Sequence, residues 1–305
     1  MWRYIIFRLI QAAITLFIVM FIVFISVRLV GDPALLMAPP EATPEDIEQI
    51  RIQLGLHEPL PVQFYRYVSG VLQGDFGMSL RWRIPAFQLW LSRLPNTLLL
   101  AIPATIIGFP IGLILGIIGA IKVNRWPDNL SRLFAFIGMS MPQFWVAIML
   151  VMVFAVRLDW FPTSGIGGGR YMVLPLFTML IGGMAGSIRF TRTCMLEVLD
   201  SEYIKMARIK GVSEYAVIIK HAFRNASMPI ITGMILGIPG LITGALLIEM
   251  IFNWPGIGRL MIDAVWTRDY PLVQCAALLG SGLFLICSIL VDVAYAYIDP
   301  RIRYR

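Results

Sequence analysis

Residues 189–227 read RFTRTCMLEVLDSEYIKMARIKGVSEYAVIIKHAFRNAS. Within this stretch Tyr203, Met206, Ala207 and Lys210 recur at helical spacing, and Gly211 breaks the run. Ser213 is placed to cap a second helix, with Glu214 beside its positive N-terminal end. That helix continues through Ile218, Ile219 and Phe223, and Pro229 is expected to open the segment that follows. The pattern predicts a compact helix-turn-helix held against a membrane face. Two readings fit the residues alone: an interfacial helix pair resting on lipid headgroups, or a lever gripped by a soluble protein.

The membrane follows from what flanks this loop and from composition. Of 305 residues, 58% are apolar and 14% charged, against roughly 45–50% and about 25% in soluble domains. Soluble, fibrous, disordered and disulfide-rich classes are excluded. A helix crossing hydrocarbon needs about 20 mostly apolar residues. Six stretches qualify: Leu9–Val27, Thr97–Ile121, Leu133–Val156, Met172–Ile188, Met228–Ile248 and Pro271–Val291. The first is longer than a signal-peptide core and lacks a small-residue cleavage site before Arg28, so it reads as an uncleaved anchor.

Lys and Arg orient the spans. With the N-terminus inside, cytoplasmic segments carry Arg3 and Arg8, then Lys122, Arg125 and Arg132. They also carry the basic residues of 189–227, from Arg189 to Arg224, and Arg301, Arg303 and Arg305. The short outer loops hold only Arg157, Arg170, Arg259 and Arg268. Because long loops translocate largely regardless of charge, both termini are expected in the cytoplasm.

The outer loop of about 31–95 holds its own helix signals. Thr43-Pro44-Glu45-Asp46 is a helix start, Ile47, Ile50 and Leu54 share a face, and Gly55 is a stop. A second amphipathic stretch after Pro61 carries Phe64, Tyr67, Val68 and Val71 and ends at Gly74. This small helical cap either docks a soluble partner or covers the bundle. The organisation is thus an N-terminal tail and first span (1–30), an outer helical loop (31–95) and a membrane core (96–305) containing the inner loop 189–227.

Glycines at four-residue spacing (Gly108, Gly112 and Gly116; Gly182 and Gly186; Gly233 and Gly237; Gly240 and Gly244) read as close helix packing. Pro103, Pro110, Pro142 and Pro239 lie inside spans and are expected to kink them. Gln143 is a polar group at membrane depth, either lining a pathway or satisfying a freed carbonyl. Glu249, near the outer end of the fifth span, either meets a cationic solute or bonds to Asn253 or Arg259 and holds an outer gate.

Chemistry of its own is absent from the chain's pattern. There is no GxxxxGK[ST] phosphate loop, and the glycine cluster 165–169 has no lysine after it. His57 and His221 fall in loops on opposite sides, so a membrane metalloprotease is excluded. Cys275 and Cys287 are twelve residues apart on one apolar segment, about 18 Å along a helix and beyond disulfide reach. No metal or cofactor site is expected, and the chain reads as non-catalytic.

Glu202-Tyr203-Ile204-Lys205-Met206-Ala207-Arg208-Ile209-Lys210-Gly211, followed by His221-Ala222-Phe223-Arg224-Asn225 and Pro229, resembles the EAA-type cytoplasmic loop of ABC importer permeases. The form is that of the dipeptide/oligopeptide/nickel family. Gly31-Asp32-Pro33 and Gly74-Asp75-Phe76-Gly77-Met78-Ser79 are similar to the family near the start. Towards the end the same holds for Glu249, Asn253-Trp254-Pro255-Gly256-Ile257-Gly258, Arg268-Asp269-Tyr270-Pro271 and Asp299-Pro300-Arg301-Ile302-Arg303-Tyr304. Met206 and Ile209 are larger than the residues of many relatives.

The resemblance implies an all-α, six-span, type I ABC importer permease, the first of two permease subunits and the type with a long outer loop, in a bacterial inner membrane. It implies a homologous second permease, one or two kinds of ATPase inside, which hold the ATP and magnesium, and a substrate-binding protein outside. Glu202, Tyr203, Ala207, Gly211, His221, Arg224 and Asn225 would form the ATPase-coupling loop. Gln143 and Glu249 are candidates for the substrate pathway, and Asp75, Phe76 and Gly77 for outer docking. Substrates across such relatives include dipeptides, oligopeptides, glutathione, nickel chelates and sugars. The rival class is an ATP-independent channel or an ion-coupled secondary transporter. The latter usually carries ionisable groups at mid-membrane, and here Arg28, Glu249 and Asp292 lie near span ends.

Overall fold

A computed structural model describes residues 2–30, 34–35, 38, 41–53 and 55–298, with the backbone alone for 2–4, 30, 53, 236, 238–244, 291 and 294–298. The motifs at 31–33 and 299–304, Leu54, and the side chains around Pro239, Gly240 and Gly244 therefore lie outside the described residues. The described backbone is helical. Its one β-type pairing is an isolated bridge between Met78 and Pro85.

The helices are α1 (Trp2–Val30), α2 (Pro44–Gln53), α3 (Leu60–Leu72), α4 (Ala86–Ile121), α5 (Trp126–Ser140) and α6 (Gln143–Leu150). The last of these winds on as a π-helix, Val151–Arg157. After them come α7 (Gly169–Leu199), α8 (Glu202–Ile209), α9 (Glu214–Ala216), α10 (Arg224–Ile251), α11 (Ile257–Trp266) and α12 (Tyr270–Ile298). A second π-helical stretch, Val217–Phe223, joins α9 to α10. Among the described residues four segments are long and apolar enough to cross a membrane: Ile5–Leu29, Ala86–Ile121, Gly169–Leu199 and Tyr270–Leu290. The bent pair of α5 and Gln143–Arg157 counts as a fifth when taken as one broken span. The place of the remaining expected span is taken by the 28-residue α10.

Three expectations need correction. The third span is not one kinked helix, because α5 and α6 meet at 100°. Met141 precedes Pro142, and the proline ring excludes helical geometry there, so Met141 adopts φ −88°, ψ 126° and the helix restarts at Gln143. The fourth span extends well beyond the expected Met172–Ile188: α7 has 31 residues, about 46 Å of helix against a hydrocarbon core of about 30 Å. It carries the chain well past Arg189 before turning. Nor does Pro229 open a helix, since α9, the π-helical stretch and α10 run on without interruption through it.

The chain divides into two compact units. The first joins Trp2–Pro95 to Gly256–Ile286. Here Phe64 of α3 meets Phe17, Phe21 and Phe24 of α1 edge-on, with centroids 5.1–5.7 Å apart, and Arg28 donates to Gln63 Oε1 at 2.6 and 3.0 Å. The outward face of α1, including Ile6, Phe7, Ile10, Ile14, Ile18 and Ile22, is exposed, as a lipid-facing helix requires. Thr43 and Asp46 form a reciprocal cap: the Thr43 N–H donates to Asp46 Oδ2 (2.9 Å) and the Asp46 N–H to Thr43 Oγ1 (3.3 Å).

The second unit joins Asn96–Pro255 to Cys287–Arg305. One core cluster gathers Leu100, Ala104, Ala147, Leu174, Met179, Ile248, Phe252 and Trp254 from α4, α6, α7 and α10. Close approach explains several glycines here. A Cβ on Gly116 would stand 2.6 Å from that of Thr191, and one on Gly138 2.7 Å from that of Ala185, so α4 and α5 pack backbone-close on α7. The same helices are tied by a buried ion pair. Arg192 of α7 donates Nε and Nη2 to the carboxylate of Asp128 in α5 at 2.6 and 3.0 Å, and the Asn124 N–H donates to it at 2.8 Å. Asp128 is wholly buried, so removing either partner strands a charge and costs about 3–5 kcal/mol.

Candidate functional site

The segment 199–226 hangs below α7. Ser201 leads into α8, whose C-terminus is closed by two crossing hydrogen bonds: Gly211 N–H to Arg208 O (3.0 Å) and Val212 N–H to Ala207 O (3.2 Å). This closure puts the residue after the cap in the left-handed region, and Gly211 has φ +77°. A Cβ there would touch nothing within 4 Å, so the constraint at Gly211 is conformational and not steric. Ser213 then accepts the Ala216 N–H at 3.4 Å, capping α9 as its sequence position predicts. Across the turn Arg208 donates to Glu214 at 2.7 and 3.2 Å. That bond holds the Glu214 carboxyl below the usual carboxylate range and the Arg208 guanidinium above its own.

The two arms divide into faces. Ile204, Val217, Ala222 and Ala226 are buried with Cys194, Met195 and Ile230, while Ala207 and Val212 pack at the edge of that cluster. The inward anchor of α8 is therefore Ile204, a residue the spacing argument passed over. Tyr203 and Met206 are instead exposed, together with Ile209 (78%), Tyr215 (76%) and Ile219. Five large apolar side chains thus crown a loop whose inner face is already satisfied. Glu202 reaches Lys205 at 3.0 Å, the His221 carbonyl accepts from Asn225 Nδ2 at 2.8 Å, and Arg224 is exposed. All seven residues singled out from the sequence therefore lie on one helix–turn–helix.

The membrane-depth residues separate. Gln143 lays its amide against Gly182 of α7, where a Cβ would clash with it. Next to Gly182 a cleft of about 280 Å³ opens between α4, α7 and α10, lined by Thr105, Gly186, Ser187, Phe190 and Gly237 among others. Gly186 and Gly237 have open space where a Cβ would stand. Three of the glycine stripes, through Gly108, Gly182 and Gly186, and Gly233 and Gly237, thus line the cleft as well as serving close packing. Glu249 is wholly buried and accepts a short hydrogen bond from the Thr97 hydroxyl. Close by, Trp254 Nε1 donates to the Asn96 carbonyl at 2.8 Å and Asn96 Nδ2 to the Pro255 carbonyl at 2.9 Å. A side-chain partner of Glu249 is thus Thr97.

In the first unit Asp75 Oδ1 accepts the Gly77 N–H (2.9 Å), and Phe76 stacks on Phe87 at 5.7 Å. Ser79, two residues on, donates to Asp269, whose Oδ1 also accepts the Leu272 N–H at 3.3 Å. The motifs around 74–79 and 268–271, some 190 residues apart, are one clasp. Sequence reasoning missed this, as it missed Asp128–Arg192. An acid in the first turn after Trp126-Pro127 was the only local sign of the latter. Among the described residues no group of His, Cys, Asp or Glu is arranged to hold a metal ion.

Residues 108–304 match the family model described as the binding-protein-dependent transport system inner membrane component, and residues 1–101 match the N-terminal model of the same membrane component. The glutathione transport system permease protein GsiC of Escherichia coli (strain K12) is 44% identical over 306 residues, covering all of both chains. The GsiC of Shigella boydii serotype 4 is similar to the same degree. In structure the chain is similar to the inward-facing MetNI methionine ABC transporter, with TM-score 0.56, 13% identity, and 70% of this chain and 97% of that one covered. It is also similar to an amino acid ABC transporter crystallised with histidines (TM-score 0.53, 14% identity, 70% and 94% covered). These two likenesses bear on the fold, which is that of ABC importer permeases.

Proposed function

The chain belongs to the binding-protein-dependent transport inner membrane components, and from that premise we propose that it is the first permease subunit of an ATP-driven importer of short peptides, glutathione among them. The observation that carries the coupling role is the exposed apolar crown of Tyr203, Met206, Ile209, Tyr215 and Ile219 on a loop already packed from within. An uncovered patch of this kind marks a protein contact, and a cytoplasmic ATPase groove is the occupant this reading gives it. Glu202, Ala207, Gly211, His221, Arg224 and Asn225 shape that contact.

In this reading the chain forms half of the pathway and a homologous permease the other half. One or two kinds of ATPase supply ATP and magnesium chemistry from inside, and closure of the ATPases drives the loop between two states. The pathway passes Gln143 and the glycine-lined cleft. Glu249, hydrogen-bonded to Thr97, keeps the outer end of α10 in place. The turn at Asp75, Phe76 and Gly77 receives the substrate-binding protein on the outer side of a bacterial inner membrane, with both termini inside. The relatives 44% identical over their full length are named as glutathione transport permeases, which supports a small anionic peptide as the first substrate to test.

The test is recovery of partners from gently solubilised membranes by a C-terminal tag, with Gly211 intact and as Gly211→Val. A second permease and ATPase subunits should come with the parent chain and be weakened at least about tenfold by the substitution, while membrane insertion is unchanged. Recovery of the chain alone, still moving solute into liposomes without ATP, would sink the importer reading in favour of a channel or secondary transporter.

A further inference from the structure

A second cleft, of about 400 Å³, lies between α5 and α7, away from the glycine-lined one. Its α5 wall is the single face Arg132, Ala135, Phe136 and Met139, at spacings of three and four. Its α7 wall includes Arg189, Arg192 and Thr193. Three guanidinium groups thus converge on one cleft. Asp128 neutralises one of them, through the bidentate pair with Arg192, and also draws Arg132 Nε to 3.6 Å. Arg132 spends one further donor on Asn129, leaving most of its five N–H groups unused. The guanidinium of Arg189 has no hydrogen-bond or ion-pair partner among the described residues. The cleft therefore keeps net positive charge with donors to spare.

Its depth decides the ligand. Arg132 immediately precedes the apolar stretch that begins at Leu133, and Arg189 immediately follows the one that ends at Ile188. Both guanidinium groups therefore stand at the boundary between hydrocarbon and water. Phe136 and Met139 continue the α5 face inward, about 6 and 10 Å along the helix from Arg132. They are exposed, Phe136 to 70%. A phosphate at the arginines with an acyl chain along Phe136 and Met139 satisfies both halves of the surface, and basic pockets between spans at this level suit anionic headgroups. We propose that this cleft holds an anionic phospholipid, its phosphate bridging Arg132 and Arg189 and its chain covering Phe136 and Met139.

The full-length chain would be placed in nanodiscs of phosphatidylethanolamine with added phosphatidylglycerol, and the phosphatidylglycerol retained per chain measured by native mass spectrometry. Compared are the parent, Arg132→Gln/Arg189→Gln, and the charge-matched control Arg125→Gln/Lys220→Gln. Two arginines near a membrane surface contribute about fivefold each, so retention should weaken about 25-fold in the double variant. The control should stay within about threefold of the parent. The Asp128–Arg192 pair is untouched in every variant, and an unchanged thermal midpoint would show that the fold persists. Equal retention by the parent and the double variant would overturn the proposal. So would equal losses in the double variant and the control, or displacement of the lipid by millimolar inorganic phosphate or glutathione, which would make the cleft a site for free anions.

Discussion

Gly211 turns the loop between α8 and α9 for a backbone reason: its φ of +77° costs an L side chain about 1–2 kcal/mol, with no neighbour to blame. Asparagine tolerates that region and valine does not. Gly211→Asn should therefore keep ATPase association near the parent level, while Gly211→Val loses it at least about tenfold in the tag-recovery assay. Equal loss in both would mean that the missing side chain, and not the turn, is what the partner reads. The sequence announced this residue plainly, because a glycine after a basic helical end is a local signal. Thr97 and Glu249 gave no such sign, being 152 residues apart. Thr97→Val keeps the shape and removes the donor to a buried carboxylate, which should cost about 1–3 kcal/mol. A lowered thermal midpoint in detergent checks it, and an unchanged midpoint would mean that the bond contributes nothing.

Elements were legible where the cause lay within a few residues. The cap at Thr43, the stop at Gly55 and the cap at Ser213 all appear where the spacing puts them. At Met141-Pro142 the sequence predicts only a kink, because the size of a bend depends on what α5 and α6 each pack against. Likewise Pro229 signals a helix start by local rules, although its missing N–H is tolerated within the continuous α9–α10 run. The loop's two arms are held together by Arg208 and Glu214, a pair six residues apart across the turn. Its pH dependence has a definite sign. The Glu214 carboxyl lies below its ordinary value, so the contribution is complete above about pH 4.3 and is lost as pH falls through the depressed value. The raised Arg208 gives no change anywhere below the usual arginine range. Both side chains are about half exposed, so the whole effect is no more than about 1 kcal/mol. Amide exchange of residues 206–216, corrected for intrinsic rate, should be flat from about pH 9 to pH 5 and rise below pH 4. Glu214→Gln should be flat throughout, and a rise in that variant would assign the effect to another group.

For the whole molecule, composition alone gives a membrane bundle, but its sidedness rests on the distribution of charge. The loop 189–227 concentrates Lys205, Arg208, Lys210, Lys220 and Arg224, and α2, on the expected outer side, begins with Glu45, Asp46 and Glu48. Positive charge resists translocation in short segments, so the 189–227 loop and the tail are expected on the inside. This orientation also bears on the proposed coupling role, because a loop proposed to meet a cytoplasmic ATPase has to lie inside. Single cysteines at Glu48 of α2 and at Lys122, just past the end of α4, report it directly, as both positions are exposed. The native thiols interfere little: Cys194 and Cys275 are buried and Cys287 is half-buried. A membrane-impermeant maleimide should label Glu48→Cys in intact cells. It should label Lys122→Cys only after permeabilisation, each measured against the parent chain. The opposite pattern would turn the bundle over. It would leave the apolar crown of the loop facing the outside, where no ATPase waits for it.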